Sequence, residues 1–352
     1  MRAVRWWWWT LLLAAVVAGS LVPVPVGVDA APVEPLRLNH FQVKGSHNSF
    51  HIEHAPEVID SYMTVNPTAY RLAFTHPPLA DQLDLGFRQF EFDVFTDPAG
   101  DRFPPIGTPG FKALHIEAID EGSQCPLFTD CLRDLEAWSD AHPQHMPIAV
   151  LLELKEGFFT PTGPVTPADL VALDAEIRSV FDTDQLVTPD FVKGVGRAGG
   201  ADGQGTVYAD VESAILEAGW PLLEDTRQRF IILLNNERDD YVNGDLSLAG
   251  RVAFPPSSPG RPDAAFLRMN DPEGANQAEI RQRVAGGYIV RTRSDLPVDT
   301  GLTGDGSQLE AALASGAHWV SGDYLTATDY ARYDAVFAAR YGQPSTRTGP
   351  RT

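Results

Sequence analysis

The sequence has few cationic residues. Lys and Arg together number 27 against 47 Asp and Glu, which gives a formal net charge of -20 over 352 residues. A nucleic-acid-binding protein needs a basic face to neutralise phosphates, and a polybasic membrane anchor needs one to meet anionic lipid. The charge balance therefore argues against both of these classes.

Cysteine is also scarce, because the sequence contains only Cys125 and Cys131. We expect a disulfide between them that closes a short loop, as is typical of proteins in oxidising compartments. Two free thiols are the alternative. A zinc site is disfavoured, since the sequence has no further cysteine and the nearby His142 and His145 lack a ligand pattern.

Long apolar runs are absent except near the start of the sequence. Arg2 and Arg5 precede the apolar run Trp6–Ala18, and small residues follow at Val28–Ala30. This pattern predicts a secretory signal peptide, residues 1–30. A membrane anchor is the alternative, but the run is shorter than the roughly 20 residues needed to span a bilayer. We expect an exported protein with one catalytic domain, residues 31–342, and a disordered tail, residues 343–352.

The composition is globular, with 43% hydrophobic and 21% charged residues. The length would suit two average domains or a single (β/α)₈ barrel of about 250 residues with long loops. Eight segments have the apolar character of buried parallel strands. They are residues 40–46, 88–95, 111–116, 147–154, 229–235, 264–269, 287–292 and 317–321.

Helical patterns lie between these predicted strands, at residues 77–85, 132–141, 168–181, 211–218, 278–285 and 308–315. Repeated strand–helix alternation favours a parallel α/β fold, and eight strands indicate a closed (β/α)₈ TIM-type barrel. No clear helix is predicted between the fifth and sixth strands, where residues 245–262 are rich in Gly, Pro and Ser. We therefore expect an irregular connection and a distorted barrel at that point.

Polar residues follow the predicted strands at their carboxyl ends, which is where barrel enzymes carry their catalytic groups. A chance distribution of loop polar residues would not favour one end so consistently. The pattern therefore indicates an enzyme. In chain order, these residues are Ser46–Ser49, Glu91, Asp93, His115, Glu153, Lys155, Asn235, Asn236, Asn270, Asp271, Arg291, Arg293 and Asp323.

Four of these residues offer oxygen donors suited to Ca²⁺ or Mg²⁺. They are the predicted metal ligands Asn48, Glu91, Asp93 and Glu153. Four protein ligands leave part of a calcium shell to water and substrate. The alternatives are ordinary ion pairs of Glu91 and Asp93 with Arg88 or Lys112, and of Glu153 with Lys155.

His47 and His115 are the predicted catalytic residues, because two imidazoles can move protons into and out of one reacting centre. Lys155 and Arg291 are the predicted substrate-binding residues, since both offer positive charge to a phosphate. A divalent cation, two histidines and such cations together favour phosphodiester cleavage. Buried structural histidines and a structural salt bridge of Arg291 are the alternatives. His51 is expected at the surface.

Two segments carry a family resemblance. The stretch KGSHNSFH around His47 and the stretch LADQLDLGFRQFEFDVF before and through Glu91 and Asp93 resemble the calcium-dependent phosphoinositide-specific phospholipases C. His115 and Glu153 also stand where that family has its second histidine and a further calcium ligand. The sequence most resembles the secreted actinobacterial branch of this family. It differs from the bacterial metal-independent relatives, in which an arginine takes the place of the metal.

The resemblance implies a calcium-dependent enzyme that cleaves phosphatidylinositol into diacylglycerol and a cyclic inositol phosphate, with His115 as the acid. Glu91 or Glu153 is an alternative to His47 as base. We expect a monomeric protein that binds its lipid substrate at a membrane or micelle surface. Contact with that surface would be transient and made through Phe158 and Phe159. A glycerophosphodiester phosphodiesterase is the first alternative function, although its His-Arg-Gly opening is absent. The other is a non-catalytic barrel that binds inositol lipids.

Overall fold

The computed structural model describes residues 35–156, 164–242, 244–296, 300 and 305–323. The predicted signal peptide, the predicted tail, Phe158 and Phe159 lie outside these ranges, so these predictions and the domain boundaries remain predictions. No helix in the described ranges combines the length and apolarity needed to cross a bilayer.

One sheet forms the centre of the fold. Eight strands join side by side in parallel in the order β6-β5-β4-β2-β1-β9-β8-β7. An isolated parallel bridge between Pro256 and Phe266 connects the two ends of this row, so the barrel is nearly closed. The predicted (β/α)₈ architecture is confirmed. In the described part of the chain the strands are β1 Val43–Ser46, β2 Gln89–Asp97, β3 Gly110–Ala113, β4 Ile148–Lys155, β5 Phe230–Leu234, β6 Ala253–Phe254, β7 Phe266–Arg268, β8 Ile289–Arg293 and β9 Trp319–Gly322.

Helices between the strands cover the outside of the sheet, and all six predicted helices are confirmed. Thr166 caps α4: its hydroxyl accepts a hydrogen bond from the Asp169 amide, and the Asp169 carboxylate accepts one from the Thr166 amide. The described helices are α1 Pro56–Met63, α2 Leu79–Asp84, α3 Phe128–Ala141, α4 Pro167–Arg178, α5 Pro189–Lys193, α6 Val211–Glu217, α7 Leu223–Thr226, α8 Asp239–Val242, α9 Ala275–Ala285 and α10 Ser307–Ser315.

The prediction that residues 111–116 form the third barrel strand was wrong. β2 continues for nine residues, and the chain then turns back so that β3 pairs with it antiparallel, outside the parallel row. The eighth barrel strand is instead β6, which the Gly- and Pro-rich segment had concealed. β6 is only two residues long, too short to produce an apolar pattern in the sequence.

The core lies between the barrel and its helices. Every residue of β5 is completely buried, as expected for a parallel strand covered on both faces. The predicted disulfide is confirmed between Cys125 and Cys131. Cys131 belongs to α3 rather than to the preceding loop, so the bond joins that loop to the first turn of the helix.

Candidate active site

A cavity of about 530 Å³ opens at the carboxyl ends of the barrel strands. Its walls combine acidic, basic and amide side chains from six strands or the loops that follow them, which is the end of the barrel where the sequence predicted a site. The lining residues are His47, Glu91, Glu153, Asn235, Asn236, Glu237, Arg268, Asn270, Arg291 and Arg293.

Three carboxylates converge beside this cavity. Glu91 and Asp93 are two residues apart on β2 and therefore project to the same face. The parallel register pairs Asp93 with Glu153 on β4. As a result, one carboxylate oxygen from each of the three residues lies within 4.8 Å of the others. The sequence prediction that these three side chains meet is confirmed by their geometry.

Lys155 lies against this acidic cluster. Its Nζ is 3.0 Å from Asp93 Oδ2 and 2.8 Å from Glu153 Oε1. Burial by itself would lower the pKa of Lys155, but the two carboxylates outweigh burial and raise it. Burial raises the pKa of Asp93 well above its usual value, although Lys155 opposes this effect. The ion pair of Glu153 with Lys155, the alternative weighed from sequence, is therefore present.

The acidic cluster fits a hard cation by two observations. All its donors are oxygen atoms, which Ca²⁺ and Mg²⁺ prefer. Asp93 Oδ1 is buried and has no hydrogen-bond partner among the described residues, whereas buried acceptors normally have one. Glu153 Oε2 is oriented by a 2.6 Å hydrogen bond from Asn235 Nδ2. These observations make the cluster a candidate metal centre.

Asn48 follows β1 and is buried, with a left-handed backbone of φ 47°. Its carbonyl oxygen accepts a hydrogen bond from the amide of His51, at 2.9 Å. Asn tolerates this conformation better than most residues with a side chain. Asn48 therefore forms a turn at the end of β1, and the role of its side chain as a ligand remains a prediction.

Arg291 is completely buried in the wall of the cavity. Its guanidinium donates to Glu91 Oε2, to Asn270 Oδ1 at 2.5 Å and to Ser321 Oγ at 2.7 Å. Burial lowers its pKa, while Glu91 opposes that shift. Glu91 therefore pairs with Arg291 rather than with Arg88 or Lys112, and the structural salt bridge of Arg291 is observed.

His47 is held by two residues to which the sequence analysis assigned no role. Its Nδ1 is 2.7 Å from Asp323 Oδ1, and Arg293 contacts both its Nε2, at 3.2 Å, and Asp323 Oδ2, at 2.5 Å. Burial would raise the pKa of Asp323, but His47 and Arg293 hold it far below its usual value. An ionised Asp323 accepts a hydrogen bond from Nδ1–H of His47, and Nε2, which faces the Arg293 guanidinium, carries the lone pair.

His115 approaches the acidic cluster from the side of β3. The prediction that it ends a barrel strand was wrong, because it follows the antiparallel β3. That strand runs back along β2, and the amide of Leu114 donates to the Asp93 carbonyl at 3.1 Å. This return brings His115 Nε2 to 4.0 Å from Asp93 Oδ2. Burial lowers the pKa of His115, although Asp120, 2.7 Å from its Nδ1, opposes the shift.

The prediction for His51 was wrong, since this residue is completely buried instead of lying at the surface. Its Nε2 is 2.8 Å from Asp120 Oδ2, and its Nδ1 is 2.8 Å from the Phe74 carbonyl. The strand-end pattern that identified the other residues does not apply to Asp120, which lies in a turn after β3. Its proximity to two histidines depends on the tertiary fold.

A nearly closed parallel barrel, with carboxylates, histidines and arginines around the carboxyl ends of its strands, defines a barrel enzyme suited to phosphate esters. The family model described as "Phosphoinositide phospholipase C, Ca2+-dependent" matches residues 36–106 and 104–347. Because this match spans most of the sequence, the chain belongs to that family. The resemblance stated from sequence is confirmed.

Solved structures support the same fold. A Ca²⁺-dependent phosphatidylinositol-specific phospholipase C from Streptomyces antibioticus is 18% identical, with a TM-score of 0.54, over 89% of this chain and 99% of that one. A calcium-dependent phosphoinositol-specific phospholipase C from Pseudomonas sp gives 17% identity and a TM-score of 0.52, over 81% and 90% of the two chains. A comparison with curated proteins gave no significant match.

Proposed function

We propose that this protein is a calcium-dependent phospholipase C that cleaves phosphatidylinositol into diacylglycerol and a cyclic inositol phosphate. The family assignment gives the class of reaction. The observation that carries the proposal is the acidic cluster of Glu91, Asp93 and Glu153, with His47 in the same cavity and His115 beside it. This combination supplies a cation site and two proton-transfer groups at one end of the barrel.

The reaction exchanges one ester bond of phosphorus for another. The 2-hydroxyl oxygen of the inositol ring forms a bond to phosphorus, and the bond from phosphorus to the glycerol oxygen breaks. The hydroxyl proton passes to a base, and a proton from an acid joins the departing glycerol oxygen. In a second step, water can attack phosphorus and open the cyclic product to an inositol monophosphate.

We assign the base to His47. Its Nδ1 faces the ionised Asp323 at 2.7 Å, which fixes the tautomer that leaves Nε2 able to accept a proton. A carboxylate in this position also stabilises the imidazolium that forms, as it does in the triads of serine hydrolases. Arg293 holds Asp323 in place and must release His47 Nε2, 3.2 Å away, when substrate arrives.

We assign the acid to His115. Asp120 accepts a hydrogen bond from Nδ1–H at 2.7 Å and favours the protonated ring, so Nε2, on the side of Asp93, is the nitrogen that delivers a proton to the leaving oxygen. A positioned general acid or base contributes roughly 10²–10⁴-fold in rate. The two histidines therefore have distinct duties, one on each side of phosphorus.

The remaining residues bind and orient. Asn48, Glu91, Asp93 and Glu153 would hold calcium, which when bound lowers the pKa of the attacking hydroxyl and offsets the negative charge that develops on the phosphoryl oxygens. Lys155, half-buried with its Nζ on Asp93 and Glu153, would donate to a phosphoryl oxygen of the bound substrate. Arg291 keeps Glu91 oriented and presents the polar wall against which the inositol ring would lie.

We also propose that the protein is exported and meets its lipid at a membrane or micelle surface as a monomer. The apolar run after Arg2 and Arg5 supports export. The net charge of -20 supports brief contact, because an acidic protein is repelled by anionic bilayers within a Debye length of about 8 Å. Attraction to the substrate would then be local to the cavity.

The decisive experiment is a calcium titration of phosphatidylinositol cleavage, followed by phosphorus NMR of the product. Cleavage that rises with calcium, stops with chelator and gives a cyclic phosphate supports the proposal. Soluble glycerophosphoinositol, which lacks acyl chains, is the control substrate. Preferred hydrolysis of that control would favour a glycerophosphodiester phosphodiesterase, and lipid binding without any turnover would favour a non-catalytic barrel.

A further inference from the structure

Behind His115 lies a buried group of three side chains, which we call the His51–Asp120–His115 array. Asp120 is completely buried and faces both histidines. Its Oδ2 is 2.7 Å from His115 Nδ1 and 2.8 Å from His51 Nε2, and its Oδ1 is 2.9 Å from the same nitrogen of His51. One carboxylate therefore accepts hydrogen bonds from two imidazoles.

His51 is fixed at both of its nitrogens. Nε2 faces Asp120, and Nδ1 faces the carbonyl oxygen of Phe74 at 2.8 Å, so each ring nitrogen has a hydrogen-bond partner. The ring also stacks on Phe74, with a centroid separation of 4.1 Å and an interplanar angle of 25°. Because His51 is completely buried, water cannot replace either of these partners.

The backbone of Asp120 is held as firmly as its side chain. The amides of His115 and Ile116 donate to the Asp120 carbonyl at 3.2 and 2.9 Å, and the Asp120 amide donates to Ile116 at 2.8 Å. The carboxylate consequently has one orientation, set by this turn on one side and by His51 on the other. That orientation directs the Nδ1 proton of His115 inward and its Nε2 towards Asp93.

We propose that His51 is a positioning residue that acts through Asp120 to hold the Nε2 atom of His115 towards the departing oxygen of the substrate. The inference rests on the proposed function, in which His115 is the general acid. His51 touches neither substrate nor metal in this account. Its two hydrogen bonds fix the carboxylate that fixes the acid.

The same three side chains offer ligand atoms that a transition metal such as zinc accepts. The distances favour a hydrogen-bonded array instead. Separations of 2.7–2.9 Å are ordinary for hydrogen bonds, whereas tetrahedral ligands about 2 Å from zinc lie roughly 3.3 Å apart. A zinc site is therefore an outcome that the test must detect.

The test compares two substrates that differ in their need for an acid. Phosphatidylinositol releases an alkoxide oxygen that must be protonated, whereas inositol 1-(4-nitrophenyl phosphate) releases a stable phenolate that needs no proton. For His51→Leu we expect kcat on phosphatidylinositol to fall about 10- to 100-fold, a part of the full contribution of a general acid. On the nitrophenyl ester we expect less than about a threefold fall. His51→Gln, which retains a donor towards Asp120, should recover much of the loss.

His145→Leu is the matched control. His145 is also buried and bonded at both nitrogens, to Ser139 Oγ at 2.7 Å and the Met146 carbonyl at 2.6 Å, but it precedes β4 at the opposite end of the barrel. The His145→Leu variant should change kcat by the same factor on both substrates. If His51→Leu fails to fold, the isosteric Asp120→Asn variant supplies the same comparison.

Three results would overturn the inference. Equal losses on both substrates in the His51 and Asp120 variants would leave only a structural role. One zinc ion per chain that disappears in those variants would make the array a metal site. Failure of the wild-type protein to cleave either substrate would remove the proposed function, and this outcome is distinct from the other two because it precedes any mutation.

Discussion

Buried His318 lowers the free energy of unfolding of this protein as the pH falls, and one substitution should remove this contribution. His318 is almost completely buried. Its Nδ1 accepts from the Val290 amide at 3.1 Å, and its Nε2 donates to the Asn39 carbonyl at 2.9 Å. The ring is therefore neutral, with its proton on Nε2. Burial lowers its pKa from 6.5 to about 4.

The sign follows from proton binding. Between pH 6.5 and about 4 the unfolded chain protonates this histidine while the folded protein does not, so stability falls as the pH falls through that range. One pKa unit corresponds to about 1.4 kcal/mol, so the loss at pH 4.5 is about 2.5 kcal/mol. That is a large share of the 5–15 kcal/mol by which folded proteins are stable.

The perturbation is His318→Gln. Glutamine can still donate to Asn39 but loses the acceptor for Val290, which costs about 1 kcal/mol. At pH 7 the variant should thus be the less stable protein. At pH 4.5 it should be the more stable by about 1.5 kcal/mol, because glutamine does not titrate.

Urea unfolding of both proteins at pH 7 and pH 4.5 measures this crossover through the two free energies of unfolding. His145→Gln serves as a comparison at another buried histidine. If the difference between wild type and His318→Gln is the same at both pH values, His318 does not carry a lowered pKa and the reasoning fails.

Three further predictions concern the candidate site. His115→Ala should lower kcat on phosphatidylinositol by roughly 10²–10⁴-fold with calcium affinity almost unchanged in calorimetry; wild-type turnover would refute its assignment as the acid. Asp323→Asn should lower kcat by a similar factor, since the amide no longer fixes the proton on His47 Nδ1, and an unaltered pH–rate profile would contradict this role. Asp93→Asn should weaken calcium binding at least tenfold, because one of three carboxylates is lost, whereas retained affinity would place the metal elsewhere.

The sequence predicted most of the fold because buried parallel strands consist of consecutive apolar residues, which can be recognised locally. β5 could be located from five consecutive apolar residues. β6 could not be located, since two residues carry no pattern. β3 was misassigned because its run resembles a barrel strand, and only its antiparallel pairing with β2 distinguishes it.

The candidate site divides in the same way. Glu91, Asp93 and Glu153 could be placed together because two adjacent parallel strands bring their carboxyl ends to one edge. The partners of the histidines could not, because they depend on distant or turning segments of the chain. Asp323 lies 276 residues after His47 in the sequence. Asp120 lies in the turn after β3, and the alternation of side chains along a strand does not predict its contact with His51.

The incomplete closure between β6 and β7 leaves this side of the barrel with much less strand pairing than the opposite side. β2 and β4 are in register along nearly their whole length, so the carboxylates that they carry share one rigid support. β6 and β7 meet through an isolated bridge, reinforced by the Ser257 amide on the Phe266 carbonyl at 3.1 Å. Any movement of the wall that follows β7 would nevertheless reach the carboxylates, because Arg291 donates to both Asn270 Oδ1 and Glu91 Oε2.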